Sequence, residues 1–211
     1  MQKYSVFSLI KNAFSNHQNW EVAWKDPTPK SEYDVVIIGG GGHGLATAYY
    51  LAKEHNIRNV AIIEKGWIGG GNVGRNTTII RSNFMYDANA RFNEFGMDLW
   101  RNLSQELNFN VMFSPRGIIN LAHSDAQMNA YARRGNSMRL NGIDAKLLDR
   151  DEVKKLIPMA DFSDEVRFPI FGGLMQPSAG TARHDAVAWG YARQADDMGV
   201  DIIQHCEVTG F

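Results

Sequence analysis

The sequence predicts an α/β fold in which a Rossmann-like parallel sheet with helices is followed by part of an α+β domain. Three observations support this prediction. An apolar run at 34–38 leads into a glycine-rich turn, a helical pattern follows, and a second apolar run at 60–63 ends beside Glu64. Because buried parallel strands alternate with helices in nucleotide-binding domains, this order of elements is typical of a dinucleotide site.

The glycine-rich turn has the form G-x-G-x-x-G, with glycine at positions 39, 41 and 44. These glycines allow a tight reversal, a close approach of the main chain to a pyrophosphate, and close packing of the next helix on the sheet. We expect a helix from Gly44 to about Glu54 whose first amides face the phosphates. The turn residues therefore expected to contact the cofactor are Gly39, Gly41, Gly42, His43 and Gly44.

The second strand, expected over 59–65, ends in an acidic residue. A carboxylate at Glu64 can accept hydrogen bonds from both ribose hydroxyls, and it repels a 2′-phosphate. A turn with only a structural role is the alternative interpretation. The full order of strand, turn, helix, strand and acid favours dinucleotide binding over that alternative.

A second glycine cluster follows closely, within residues 66–81. It combines glycines with Asn72, Arg75 and Thr77, so it offers main-chain amides and small donors. A cofactor larger than NAD would place its ribityl chain and flavin ring against such a segment. The cluster therefore favours FAD, and an ordinary polar loop at a sheet edge is the alternative.

Composition excludes several classes of function. The 211-residue chain has 22 basic and 23 acidic residues and a net charge of -1, which argues against a nucleic-acid surface. No apolar run is long enough to span a bilayer. Cys206 is the only cysteine and the histidines show no metal-binding spacing, so we expect no disulfide, no metal site and a cytoplasmic setting. The chain is short for two complete domains, so we expect a truncated protein.

The rest of the chain divides into further expected segments. Residues 1–32 form an aromatic-rich arm that packs either on a partner or on the chain itself. A helix at 89–107 is expected to pack in the core through Phe92, Phe95, Leu99 and Leu103. Strand material at 109–122 and helices at 125–140 and 149–156 follow. The expected domains are 33–115 for the first part of the FAD-binding domain, 116–176 for the substrate-domain portion and 177–211 for the return to the FAD-binding domain.

Residues 181–198 have the pattern of a helix capped by Thr181, with Arg183 and His184 in its first turn. The helix macrodipole there disfavours imidazolium. A neutral histidine beside a guanidinium is a usable nucleophile that can attack the activated methyl group of an oxidised flavin and form a covalent link. The alternative is that His184 only hydrogen-bonds a loop carbonyl.

Four stretches of this chain, 34–65, 69–81, 116–123 and 180–193, together resemble a known family. They are similar to the beta subunits of heterotetrameric bacterial sarcosine oxidase, within the D-amino-acid-oxidase-like flavoprotein superfamily. The resemblance covers nearly the whole chain from about residue 24. The stretches around Thr77 and around His184 are far more specific than the glycine turn.

The resemblance implies a protein with two flavins. Non-covalent FAD accepts hydride from the N-methyl group of sarcosine, electrons pass to FMN bound covalently to His184, and O2 is reduced to H2O2. The methylene group passes to tetrahydrofolate on an alpha subunit that also holds NAD, and gamma and zinc-containing delta subunits complete the assembly. The fingerprint and the resemblance together imply FAD contacts at Gly39, Gly41, Gly42, His43, Gly44, Glu64, Lys65, Asn72, Arg75, Thr77, Ile79 and Val208.

The resemblance also implies that Arg183 touches the FMN, although some relatives have lysine there, which keeps the charge but alters its geometry. The substrate-binding groups of the family belong to a C-terminal half that this sequence does not contain, so the catalytic residues are unknown. Two other functions fit the FAD motif. One is a single-flavin amine or amino-acid dehydrogenase, such as a dimethylglycine dehydrogenase-like enzyme, and the other is a non-catalytic flavin-carrying subunit.

Overall fold

The computed structural model describes residues 6–18 and 27–210. Its helices are α1 (Val6–Phe14), α2 (Gly42–His55), α3 (Asp87–Glu106), α4 (Asp125–Leu140), α5 (Arg150–Leu156) and α6 (His184–Asp197). Its strands are β1 (Val35–Ile38), β2 (Val60–Ile63), β3 (Ile79–Ile80), β4 (Ile118–Ala122), β5 (Lys146–Asp149), β6 (Gly172–Gln176), β7 (Gly180–Thr181) and β8 (Asp201–Ile203). A short 3-10 helix spans Asn72–Arg75.

The chain forms two compact units. The first contains Met1–Arg75 and His184–Phe211, and the second contains Asn76–Arg183. The expected domain boundaries at 116 and 176 lie inside the second unit and stay a prediction. Two aromatic residues of the expected N-terminal arm, Trp20 and Trp24, lie outside the described residues.

The first unit is built on a parallel sheet in the order β1, β2, β8. Its central strand, β2, is rich in β-branched residues, and Val60 and Ile62 are fully buried. Helices α2 and α6 pack against each other, and the rings of Tyr49 and Tyr191 meet edge to face with 5.5 Å between centroids. The parallel sheet with packed helices confirms the predicted α/β, Rossmann-like class.

The second unit contains an antiparallel sheet in the order β4, β6, β5, and a separate pair formed by β3 and β7. Helix α4 covers the sheet, with Met138 and Leu174 fully buried in the shared core. The bounds of α4 are those expected from the sequence. Helix α5 begins with a capping box, in which Asp149 accepts from the Glu152 amide and the Glu152 side chain accepts from the Asp149 amide.

Two expectations about the second unit are wrong. Phe92 and Phe95 do not pack in the core, because their exposed fractions are 77% and 66%. Leu103, which was also expected in the core, is buried as predicted, together with Ala90 and Met97. Apolar residues occur on more than one side of this helix, so periodicity alone does not select its buried side. Of the strand expected over 109–122, the structure forms Ile118–Ala122 and an isolated bridge between Ser114 and Thr181.

Candidate cofactor-binding site

The glycine turn joins β1 to α2 in a geometry that requires glycine at two positions. Gly39 has a φ of 107°, a backbone conformation that side-chain-bearing residues rarely adopt, and its amide donates to the Ile63 carbonyl at 2.8 Å. A Cβ added at Gly44 would overlap the Gly39 carbonyl oxygen. The start of α2 therefore lies directly against the turn, as the fingerprint predicts.

Helix α2 begins at Gly42, two residues earlier than expected, and Gly41 occupies its N-cap position. Since glycine has no side chain to cap the helix, the first amides of α2 are left to an external acceptor. An atom added as Cβ at Gly41 would lie 4.0 Å from its nearest neighbour, Val73 Cγ2. This arrangement gives a bare helix N-terminus with partial positive charge, which suits a pyrophosphate. The His43 side chain is exposed.

Glu64 follows β2, and its carboxylate is fixed by two main-chain donors. The amide of Gly40 donates to Oε2 at 2.7 Å, and the amide of Gly66 donates to Oε1 at 2.8 Å. Each carboxylate oxygen can accept more than one hydrogen bond, so these contacts leave acceptor capacity for ribose hydroxyls. The two amides therefore orient the acid without saturating it.

A cavity of about 740 Å³ lies within the first unit, in the size range of small-molecule sites. It brings together six of the residues that the sequence analysis assigned to FAD, which are Gly39, Gly41, Glu64, Lys65, Arg75 and Val208. The cavity lies beyond the carboxyl ends of β1 and β2, the edge at which open parallel sheets bind ligands. Its walls thus join the glycine turn, the acid and the second glycine cluster around one space.

The cavity is also lined by residues that the sequence analysis did not assign to the cofactor, among them Trp67, Cys206 and Glu207. Trp67 is 62% exposed and lies beside Gly70, where an added Cβ would come within 2.9 Å of the indole ring. A signal was available for Cys206, because it follows β8 and the carboxyl ends of neighbouring parallel strands share one edge of the sheet.

Six assigned FAD residues do not line the cavity within the described chain, four in the first unit and two in the second. His43 and Gly42 lie at the start of α2, beside the bare amides. Asn72 is in the short 3-10 helix. Gly44 packs against the turn, as described above. Two others, Thr77 and Ile79, belong to the second unit, where Thr77 is exposed and Ile79 is in β3. The assignment of all these residues to FAD stays a prediction.

Helix α6 begins at His184, so the histidine takes the expected place at a helix N-terminus. Arg183 precedes the helix, and its amide donates to the Val111 carbonyl at 3.0 Å. Thr181 lies in β7 and is not the helix cap. The main chain of Thr181 exchanges two hydrogen bonds with Ser114, and Thr181 lies three residues before the first residue of α6, too early for the N-cap position.

The Nδ1 atom of His184 is buried and has no hydrogen-bond partner among the described residues. Buried polar atoms are nearly always paired, so this nitrogen is an exception that needs an explanation. An unpartnered ring nitrogen at a helix N-terminus is compatible with an external group bound there. The covalent attachment of FMN to His184 stays a prediction.

A second electrostatic feature, also missed in the sequence, lies in the second unit. Arg81 and Arg134 both donate hydrogen bonds to the side chain of Asn83. Within the described chain neither guanidinium contacts a carboxylate.

The described residues also contain no group of three or more His, Cys, Asp or Glu side chains that could hold a metal ion. No helix in the described part is long and apolar enough to cross a membrane.

Comparison with known proteins identifies relatives. The FAD dependent oxidoreductase family matches residues 34–211. Sarcosine oxidase subunit beta of Rhizobium meliloti is 62% identical over 208 residues, which are 99% of this chain and 50% of that protein. Sarcosine oxidase subunit beta of Rhodobacter capsulatus is 53% identical over 210 residues, 100% of this chain and 50% of that protein. The chain thus spans about half the length of the curated relatives it matches.

Solved structures give the same fold. L-proline dehydrogenase from P. horikoshii superposes with a TM-score of 0.78 at 29% sequence identity, over 87% of this chain and 46% of that one. L-amino acid deaminase from Proteus myxofaciens superposes with a TM-score of 0.77 at 23% identity, over 92% and 42% of the two chains. At 23% identity, the likeness to the L-amino acid deaminase shows the fold alone.

Proposed function

Because the chain belongs to the FAD dependent oxidoreductase family, we propose that it is the flavin-binding part of a sarcosine oxidase beta subunit and oxidises sarcosine to glycine. The observation that carries the cofactor assignment is the cavity in the first unit, where the bare N-terminus of α2 and the oriented Glu64 carboxylate share one space. The 62% and 53% identities to proteins named sarcosine oxidase subunit beta support the substrate.

Each part of the proposed FAD site has a physical role. The amides at the start of α2 neutralise the pyrophosphate, and Glu64 accepts from the ribose hydroxyls. Lys65 and Arg75 add positive charge to the cavity walls, and Val208 adds an apolar surface. Asn72, Thr77 and Ile79 complete the proposed contacts beyond the cavity. When bound, FAD supplies a hydride acceptor for the N-methyl group, and FMN supplies a route for electrons to O2, with H2O2 as the product.

His184 is the proposed covalent attachment point of FMN. Its unpartnered Nδ1 and its place at the start of α6 support this role. Arg183, directly before it, is proposed to contact the FMN through its positive charge. Arginine has a planar guanidinium group, whereas some relatives have the compact ammonium group of lysine at this position. The geometry of the contact with FMN therefore differs between the two.

The carboxylate of an amino-acid substrate requires a cation, and Arg81 is the proposed partner in the second unit. Its guanidinium lies over the ring of Phe84, 4.9 Å from the centroid, and contacts no carboxylate within the described chain. Arginine binds carboxylates through two parallel hydrogen bonds, which fix orientation as well as charge. Arg81 thus supplies a substrate-binding group that the sequence analysis did not assign.

The proposal extends to partners and setting. By likeness to the relatives' name, the chain acts as a beta subunit, and we propose alpha, gamma and delta subunits beside it in the cytoplasm. Tetrahydrofolate on the alpha subunit accepts the methylene group in this scheme. NAD and zinc belong to the partner subunits, and neither is proposed for this chain.

Anaerobic addition of sarcosine to the assembled flavoprotein tests the function. We expect the visible flavin absorbance to bleach with sarcosine and to stay constant with glycine, which has the same carboxylate but a primary amine without the N-methyl group. Persistence of the oxidised flavin spectrum with sarcosine contradicts the proposal and favours a non-catalytic flavin carrier.

A single-flavin amine or amino-acid dehydrogenase is the second candidate, and the likeness to an L-proline dehydrogenase at 29% identity favours dehydrogenase chemistry. The two candidates differ in whether a flavin is bound covalently to the polypeptide. A sarcosine oxidase beta subunit retains FMN on the denatured polypeptide, whereas a single-flavin dehydrogenase releases all its flavin.

A further inference from the structure

Asn83 lies between two arginine side chains in the second unit and is fully buried. Arg134, on α4, donates from Nε to the Asn83 carbonyl at 2.7 Å and from Nη2 to Asn83 Oδ1 at 3.1 Å. Arg81 donates from Nη1 to the same Oδ1 atom. Asn83 Nδ2 donates to Asn120 Oδ1 at 2.7 Å. Every polar atom of the Asn83 side chain is therefore used.

These contacts fix the orientation of the Asn83 amide. If the amide flipped, its NH2 group would face two guanidinium groups, and its oxygen would face the oxygen of Asn120. Because Arg134 holds the Asn83 main chain and side chain together, it also fixes the point at which Arg81 is anchored. The position of the Arg81 guanidinium thus depends on a residue 53 positions away in the sequence.

The two guanidinium groups are close enough to interact. Burial, and then the positive charge of Arg81, lower the pKa of Arg134, yet arginine stays charged in proteins. Partly buried charges of the same sign are costly without a counter-ion, and the described chain supplies no carboxylate to either group. The pair therefore attracts a negatively charged ligand.

The geometry points to Arg134 as a positioning residue that acts through Asn83 on Arg81 and raises the affinity of Arg81 for the substrate carboxylate. This inference rests on the proposed function, in which Arg81 binds that carboxylate. Arg134 supplies the anchor and the second positive charge, while Arg81, with further N–H donors beyond the one given to Asn83, makes the contact. The ligand class is a small amino-acid carboxylate.

The test uses the complete flavin-loaded assembly and compares Arg134→Gln with Arg133→Gln. Arg133 is the neighbouring residue on α4 and is exposed, so its substitution removes the same charge without touching Asn83. Anaerobic stopped-flow reduction by sarcosine gives a dissociation constant and a limiting rate separately. We expect Arg134→Gln to raise the dissociation constant about tenfold, the loss of roughly one charge-assisted interaction, with the limiting rate within about twofold and FAD content unchanged.

Two further variants separate positioning from folding. Arg134→Lys keeps the positive charge but not the planar guanidinium group that bonds Asn83 at two points. It should therefore bind sarcosine more tightly than Arg134→Gln and less tightly than the wild type. Asn83→Asp keeps the size and places a carboxylate between the two arginines, and the Asn120 amide can turn its NH2 group toward the new oxygen, so the variant should fold but weaken sarcosine binding by more than Arg134→Gln does. Tighter or unchanged sarcosine binding in Asn83→Asp would overturn the inference.

The outcomes distinguish this inference from the function on which it rests. If sarcosine does not reduce the wild-type flavin, the proposed function fails and the inference fails with it. If the wild type is reduced and Arg134→Gln binds sarcosine as Arg133→Gln does, only the inference is overturned. An equal fall in limiting rate and FAD content, with an unchanged dissociation constant, would show a structural role for Arg134 and would likewise overturn it.

Discussion

The carboxylate of Glu64 accepts a hydrogen bond from the main-chain amide of Gly40, with 2.7 Å between Gly40 N and Glu64 Oε2. The contact joins the acid at the end of β2 to the glycine turn that follows β1. The two sequence features of the fingerprint, 24 residues apart, are thus one physical unit. Any change to the acid should affect both the turn and the ligand that the turn holds.

Glu64→Gln should weaken FAD binding. The variant replaces one acceptor oxygen by an NH2 group, which must face the amide of either Gly40 or Gly66, and it removes the charge offered to the ribose. Each charge-assisted hydrogen bond contributes roughly 1.5 to 3 kcal/mol, so the dissociation constant for FAD should rise at least about tenfold. Fluorescence titration of the apoprotein with FAD measures it.

The control for this variant is Glu54→Gln, which removes an exposed carboxylate at the end of α2 whose partner is Lys53. FAD affinity equal to that of the control would mean that the Glu64 carboxylate does not face the ribose.

Gly44→Ala should destabilise the chain strongly, because its Cβ would overlap the Gly39 carbonyl and push α2 away from the turn. Overpacking of this kind costs about 3 kcal/mol. Gly96→Ala, within α3 and with open space around the added atom, should stabilise by up to about 1 kcal/mol. Urea unfolding followed by circular dichroism compares the two. Equal stability of both variants would contradict the close approach of α2.

The exposed aromatic residues of α3 give a third prediction. Phe92→Ser should change the free energy of unfolding by less than about 0.5 kcal/mol, because the side chain is 77% exposed. Leu103→Ala, on the buried side of the same helix, should cost about 2 to 5 kcal/mol. A large cost for Phe92→Ser in the isolated chain would mean that the helix is rotated from its described position.

His184→Ala should abolish covalent flavin in the full assembly and leave FAD bound. His184 is at the start of α6 in the chain segment 184–211, whereas the FAD cavity is formed mainly by the segment before residue 76, so the variant removes the attachment point and spares the cavity walls. Flavin fluorescence of the denatured polypeptide measures the covalent fraction. Protein-bound FMN that survives denaturation in this variant would exclude His184 as the attachment point, and His123→Ala serves as the matched control.

The sequence predicted the elements whose signals are local. The glycine fingerprint located β1, α2 and β2, and helix start and stop signals located α5, which begins with the capping box of Asp149 and Glu152. It also placed His184 at a helix start. These features succeed because each depends on residues within a few positions of one another.

The features that the sequence did not predict depend on distant contacts. Cys206 reaches the cavity because β8 pairs with β2, a pairing across 140 residues from Ala61 to Asp201. The contact between Arg134 and Asn83 spans 51 residues and has no local signal. The exposure of Phe92 and Phe95 on α3 has a related cause, since which side of an amphipathic helix is buried depends on what it packs against.

We propose that this chain holds FAD by non-covalent contacts and carries FMN on His184. Both parts can be tested by acid denaturation of the native assembly, followed by chromatography of the released flavin and mass spectrometry of the peptides. We expect free FAD in the supernatant and an FMN-sized mass increase on the peptide containing His184. A supernatant without FAD, or an unmodified His184 peptide, would show that this flavin assignment is wrong.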